Sequence, residues 1–436
     1  MRMGLKSVAG TSAILAPWEE RLIAGLVFTV TLCTLLPPGL FLEDFSDHAS
    51  VVMQGSIWFQ LEWGSIFAVS AFVVARHRAL ILSNLRATNP FLLAILIYSA
   101  TTALWSPAQF VTTRKVTQFA GLVVISLATR LDCKPWPYFI RIMVGAITTV
   151  ELISAVVAIV NPSIGIDAQF GYAWRGVSTH KNELGALSAV GVLLWTTLWR
   201  AHAVSPRMFW PGFLLSLLCV VMSKSSTAFI TMILGLLSFW MLHKQHIGSP
   251  LWLWRLIVCA CMVLLTLTHL FFILEGRVPN QDEILGPVAG LFGKDADLTG
   301  RSYIWELVYL EIKKHWLFGL GYGAFWLGPG SASQPVLDAM GWFPFEAHNG
   351  YIDLLNELGI VGLILFTGLL SSDILSMMRL AQFDRIGAAL FGTLLVMNLL
   401  TNFSETALFR GVQFQFLILI LASGWVNSVL NQRLRT

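Results

Sequence analysis

The chain has 436 residues, of which 56% are hydrophobic and 12% charged, with mean hydropathy +0.72. A soluble globular protein carries about 25% charged residues, so this balance excludes that class and points to an integral membrane protein. The net charge of +4, without a basic run or an aromatic-basic module, gives no ground for a nucleic-acid partner.

Twelve apolar segments are each near the ~20 residues that cross a bilayer. They run approximately 21–37, 57–75, 91–105, 113–130, 138–160, 184–200, 208–222, 226–242, 253–275, 359–378, 386–403 and 412–430. The expected fold is therefore all-α and polytopic, about twelve transmembrane helices in a single membrane domain spanning 1–436. A long loop, 276–358, lies between spans nine and ten. The first apolar run reads as an anchor, because no small-residue cleavage site follows a short apolar core. Four of the five cysteines (Cys33, Cys219, Cys259 and Cys261) lie in apolar segments, and none, Cys133 included, has metal-ligand spacing.

Cytoplasmic loops collect Lys and Arg. With the N-terminus inside, every inner loop holds at least two basic residues, among them Arg76, Arg78 and Arg86, then Arg130, Lys134 and Arg141, then Arg379 and Arg385. The first outer loop has Glu43, Asp44 and Asp47 and no Lys or Arg. Both termini are thus expected inside and the long loop outside, which in a bacterium with two membranes is periplasmic. Arg175, Lys181, Lys224, Arg301 and Arg410 fall on the outer side, where orientation does not ask for cations. An anionic ligand at the outer leaflet would account for them.

The loop between the fifth and sixth spans contains Arg175-Gly176-Val177-Ser178-Thr179-His180-Lys181-Asn182, directly before an apolar helix. Its cations could meet a phosphate or could snorkel at an interface. The stretch from Thr299 to His315 repeats Ile304, Val308 and Ile312 at helical spacing, with Trp305 alongside. Thr299 or Asp297 would cap it, and Arg301 would sit in the first turn, where the helix N-terminus and a guanidinium both favour an anion. An interfacial helix whose Arg meets lipid headgroups is the equal alternative. Asp297 is read as a cap or an orienting partner for Arg301; with Asp295 it makes only a weak D-x-D metal signal. His348-Asn349 precedes a short amphipathic run closed by Gly359. His348 is either a general base near neutral pH or a helix cap. Glu62 and Glu151, inside apolar spans, receive no role.

Three ordered stretches resemble the bacterial O-antigen ligase and O-antigen polymerase family, in particular its rhizobial exopolysaccharide polymerase branch. His348, Asn349, Gly359 and Gly362 meet the family's ligase motif, H-[N/S/Q]-x9-G-x-x-[G/T/Y]. The run from Gly293 to Trp305, followed by Gly319 to Trp326, is similar to the exopolysaccharide branch, and Arg175 to Asn182 to the family's other signature. The resemblance implies a GT-C-like membrane glycosyltransferase that uses an undecaprenyl-diphosphate-linked glycan and inverts the anomeric centre, with no metal, cofactor or nucleotide sugar. Carried over by motif, Arg175 and Arg301 hold the diphosphate and His348 activates the acceptor hydroxyl. Lys181 helps bind the diphosphate, and Asn182, Asn349, Asp297, Trp305 and Lys224 support. One departure stands out: the family's basic residue before a Thr is replaced here by Ser226, with Lys224 two residues earlier. The implied partners are the lipid-linked donor, a sugar or lipid-linked acceptor and the bilayer, with export and chain-length proteins as candidates. Exopolysaccharide repeat polymerisation is the leading expectation, O-antigen ligation to lipid A-core the alternative, and a flippase or transporter of lipid-linked sugars the competing class. A transporter would place its cations mid-membrane on broken helices, whereas these cluster on one side.

Overall fold

The computed structural model describes residues 15–36, 56–132, 134–244 and 301–434. The expected span at 253–275, the first part of the long loop, and with it Asp297, lie outside the described residues. The remaining eleven expected spans each coincide with a helix. These are α1 (Pro17–Cys33), α2 (Ile57–Arg76), α3 and α4 (Ile81–Arg86 and Pro90–Thr101), α5 (Gln109–Thr129), α6 (Trp136–Val160), α7 (Lys181–Arg200), α8 (Pro206–Met222) and α9 (Ser226–Lys244). After the long loop's helices α10 (Arg301–His315) and α11 (Gln334–Met340) come α12 (Gly350–Leu380), α13 (Arg385–Thr401) and α14 (Phe414–Leu434). Among the described residues, α2, α6, α9, α12 and α14 are each long and apolar enough to cross a membrane alone. A sixth span arises if α3 and α4, with their flanking turns, act as one segment bent by 100°. The chain is an all-α, multi-pass membrane protein.

Local chemistry sets the helix starts. Pro17, Pro90 and Pro206 stand at first positions, where the missing N–H costs nothing. Ser56 accepts from Phe59 N at 3.1 Å and Asp384 from Gly387 N at 2.8 Å, satisfying N–H groups that the helices leave open. At the α3–α4 bend, Asn89 accepts from Phe91 N while its amide donates to Asp373 on α12, at 2.8 Å. A capped, proline-led restart with a polar anchor explains the sharp turn better than flexibility does.

The central helix is α7, enclosed by α6, α8, α9 and α13 and buried along most of its length. Its Gly191 leaves space for Glu151 of α6, a fully buried carboxylate that accepts from Ser216 Oγ of α8 at 2.8 Å. That hydroxyl is a partner for this glutamate inside an apolar bundle.

Polar side chains sort to two opposite ends. One end ties Arg76 to Glu19 (2.9 Å), Lys134 to Glu20 (2.9 Å), Trp136 Nε1 to Asp384 (2.6 Å) and Arg130 to Thr88 (2.9 Å). The other end collects the 161–181 connection, the 223–225 turn, the described part of the long loop and the 402–413 connection. There a small satellite core of Ile304, Val308, Ile312, Phe325, Trp326, Val336 and Ala347 seats α10 and α11. The periodic apolar face read from α10's sequence is the face that this core buries.

Helix α12 is broken at Gly359 (φ 64°, ψ −166°), and the break explains two glycines of the H-N-x9-G-x-x-G pattern. Only glycine adopts that conformation readily. A Cβ on Gly359 would also come within 2.4 Å of Leu317 O, and one on Gly362 within 2.3 Å of Leu358 Cβ. The freed backbone groups pair with the incoming segment: Ile360 N donates to Trp316 O, Val361 N to Leu317 O, Leu320 N to Asn356 O and Gly321 N to Glu357 O. Irregular backbone at membrane depth persists only where such partners exist.

Candidate active site

His348 has φ 50°, a left-handed conformation rare for a residue with a Cβ. It precedes Asn349, whose side chain accepts from Tyr351 N (3.1 Å) and Ile352 N (3.2 Å) and so caps α12. Capping is therefore done by the asparagine, and the imidazole is left for other work. The turn is braced on every side. Trp305 Nε1 donates to Ala347 O at 2.7 Å. The buried Asp353 carboxylate accepts from Ala347 N (3.1 Å), Trp326 Nε1 (2.8 Å) and Thr406 Oγ1 (2.5 Å). Strain of about 1–3 kcal/mol is held in this way only when the surroundings over-determine it, and such positions concentrate at functional sites.

The imidazole Nδ1 lies 2.9 Å from Glu346 Oε1 and 3.1 Å from Glu405 Oε2. Each carboxylate carries its own guanidinium: Arg410 bonds Glu346, and Arg301 bonds Glu405 Oε1 at 3.0 Å. Arg301 also donates to Ser404 O at 2.6 Å, and Asn182 Nδ2 to Glu405 Oε1 at 2.7 Å. Three residues nominated from sequence (Arg301, Asn182 and His348) thus converge on Glu405, which was not. Burial disfavours the Glu405 charge. The His348 hydrogen bond and the charges of Arg301, His348 and His180 outweigh it, holding this carboxyl below the usual glutamate range. An Nδ1–H donated to a carboxylate fixes the tautomer in which Nε2 is the free acceptor, the form a general base needs.

His348, Glu346, Glu405 and Arg410 line a cleft of ≈ 470 Å³, together with Asn182 and His180. Its walls include Thr34, Leu35, Leu36, Phe59 and Trp63 from the α1 end and α2, so an apolar side meets the polar cluster. Burial holds the His180 imidazole below its ordinary pKa, partly opposed by Glu405. The ligand atoms of Glu346, His348 and Glu405 lie within 4.8 Å of one another and could reach one cation. The oxygens nearest the imidazole are Glu346 Oε1 and Glu405 Oε2, whereas Arg410 and Arg301 bond the other oxygen of each carboxylate.

The other nominated cations are placed differently. Arg175 Nε donates to Ile164 O at 2.7 Å, Lys181 Nζ to Lys224 O at 3.3 Å, and Lys224 Nζ to Gly171 O at 2.7 Å. They bind together the connection that contains the small hairpin β1 (Ile166–Asp167) and β2 (Ala173–Trp174), and none of the three lines the cleft. The Lys224 backbone is itself left-handed, φ 49°, and Ser226 only opens α9.

Sequence reasoning missed Glu405, gave Glu346 no role, and noted Arg410 only as a misplaced cation. The same orientation test, applied to Arg114 and Lys115 at the start of span 113–130, would have flagged the α5 wall of the cleft too.

The O-antigen ligase family model matches residues 211–367. The chain is also similar to the exopolysaccharide production protein ExoQ of Rhizobium meliloti (strain 1021), 26% identical over 323 residues, 69% of this chain and 70% of the relative. The match contains His348 and its glycine pattern, while Asn182, Glu405 and Arg410 lie outside the family's stretch. A multi-pass helical bundle, a braced histidine at one polar end and these two likenesses point the same way: residues 211–367 are similar to the O-antigen ligase family, and the chain to an exopolysaccharide production protein.

Proposed function

We propose that the protein transfers a glycan from undecaprenyl diphosphate to a sugar hydroxyl at the periplasmic face of the inner membrane, and that its reaction is polymerisation of exopolysaccharide repeats. The observation that carries this is His348, set in the cleft with Nδ1 tied to two carboxylates. In the step, the acceptor hydroxyl proton passes to His348 Nε2 and the oxygen forms a bond to the anomeric carbon from the face opposite the diphosphate. The bond from that carbon to the phosphate oxygen breaks, its electron pair leaves with the diphosphate, and the centre inverts. Arg301, near the imidazole through Glu405, stabilises the charge on the leaving group. The carboxylates hold the ring and stabilise the imidazolium that forms. The apolar walls beside α1 and α2 suit a polyprenyl chain that stays in lipid while its head reaches the cluster. Arg175, Lys181 and Lys224 act in this reading by fixing the loop before α7, through which Asn182 reaches Glu405. Both termini are then cytoplasmic, and 276–358 is an outer loop inserted in one membrane domain.

The test is an in vitro assay of purified protein with polyprenyl-diphosphate glycan, with and without a lipid A-core acceptor. Product from the lipid-linked glycan alone supports polymerisation; product only with lipid A-core makes the enzyme a ligase. Turnover abolished by EDTA and restored by a divalent ion would defeat the metal-free reading, and full turnover by His348→Ala would defeat the mechanism.

A further inference from the structure

The cleft has a second polar wall that the reaction above does not use. Helix α5 presents Lys115 and Gln118 into it, three residues apart and hence on one helical face. Gln118 is 8% exposed and its Oε1 is buried without a hydrogen-bond partner. Lys115 makes no hydrogen bond or ion pair among the described residues, unlike Arg301 and Arg410. Both side chains reach the backbone at Gly411 (φ 84°). A Cβ there would stand 2.7 Å from Gln118 Oε1 and 3.4 Å from Lys115 Nζ. The wall adjoins Arg410, which bonds Glu346 and through it meets His348 Nδ1. The imidazole therefore has Arg301 on its Glu405 side and the α5 wall on its Glu346 side.

A buried unsatisfied acceptor, and an ammonium that feels Glu357, Arg114 and Arg410 but forms an ion pair with no described carboxylate, each call for a ligand group, because leaving them unmatched costs free energy. The two demands differ. Lys115 asks for an anion, whereas Gln118 Oε1 asks for a donor, and a diphosphate offers no donor. A sugar offers hydroxyl donors, and an acidic sugar offers the anion as well. We propose that Lys115 and Gln118 form the acceptor subsite, and that Lys115 selects an acceptor sugar bearing a carboxylate. This rests on the transfer reading, in which the acceptor hydroxyl must reach His348, and it adds the chemical class of the acceptor.

The experiment is ligand-observed NMR on the purified full chain, with D-glucuronate, D-glucose and inorganic pyrophosphate as probes. A charge-assisted contact predicts that glucuronate binds about tenfold or more tightly than glucose. Lys115→Met should bring glucuronate to the glucose level, Lys115→Arg should restore part of the preference, and Gln118→Leu should weaken both sugars. Retained pyrophosphate binding in Lys115→Met shows that the variant is folded. Arg301→Gln should do the reverse, losing pyrophosphate and keeping the glucuronate preference. Equal binding of the two sugars by wild type, or loss of pyrophosphate rather than glucuronate in Lys115→Met, overturns the proposal. Pyrophosphate binding indifferent to Arg301 would instead defeat the diphosphate reading, and the Lys115 preference could be judged separately.

Discussion

The two polar ends of the bundle use similar residues for different ends. At the Glu19–Arg76 end, carboxylates and cations on neighbouring helix ends close into local pairs, with Arg76 half exposed. At the His348 end, two guanidiniums and two carboxylates are arranged around one imidazole, and all but Arg301 line a cleft. Charges that only tether helix ends can be satisfied by any nearby opposite charge. Charges that serve a reaction, as proposed for these, must be held in one geometry, and bonds from Trp305, Trp326, Asp353 and Thr406 brace the His348 turn.

Breaking the cluster should have the largest effect. His348→Ala is expected to lower transfer by about 10²–10⁴-fold, the range a positioned general base supplies, while pyrophosphate binding measured by 31P line broadening stays in place. Glu405→Gln comes next. It removes a carboxylate shared by His348, Arg301 and Asn182, and the fall in transfer should exceed that in Glu346→Gln, which leaves the hub intact. Equal effects of the two would mean that Glu405 is no hub.

Backbone disruption should separate fold from chemistry. Gly359→Ala meets both a left-handed φ and the Leu317 carbonyl, so a loss of about 3 kcal/mol or more of stability is expected, read as lower thermal stability in detergent. Glu405 also carries a pH signature. Its folded pKa is depressed, so the stability its charge contributes is complete above the ordinary glutamate value of about 4.3 and lost as pH falls through the folded value. The stability gap between wild type and Glu405→Gln should therefore hold steady down to about pH 4.3 and shrink only below it. A gap that already shrinks near neutral pH would show that the carboxyl is not held low. Smallest is Arg76→Ala at the opposite end: an exposed pair is worth little, and transfer should stay within about twofold of wild type.

The sequence by itself determined the membrane class and the approximate spans, and it singled out three polar stretches, because apolar length and the placing of Lys and Arg are properties of composition along a line. It also marked Gly359 and Gly362, whose need for a missing Cβ was invisible until 316–321 was seen to cross at Gly359 and the broken helix to bring Leu358 against Gly362. Only the tertiary structure decided which charges meet. Arg175, Lys181 and Lys224 looked alike with Arg301 in sequence, yet they hold backbone carbonyls of the 161–181 connection and the 223–225 turn, while Arg301, besides Ser404 O, reaches the Glu405 carboxylate. The hub itself sits 57 residues after His348, on the connection between α13 and α14. No periodicity reports on such a pairing, since an ion pair is chosen by distance and by exclusion of water, and both are set by how the helices stand against one another rather than by the order in which they are strung.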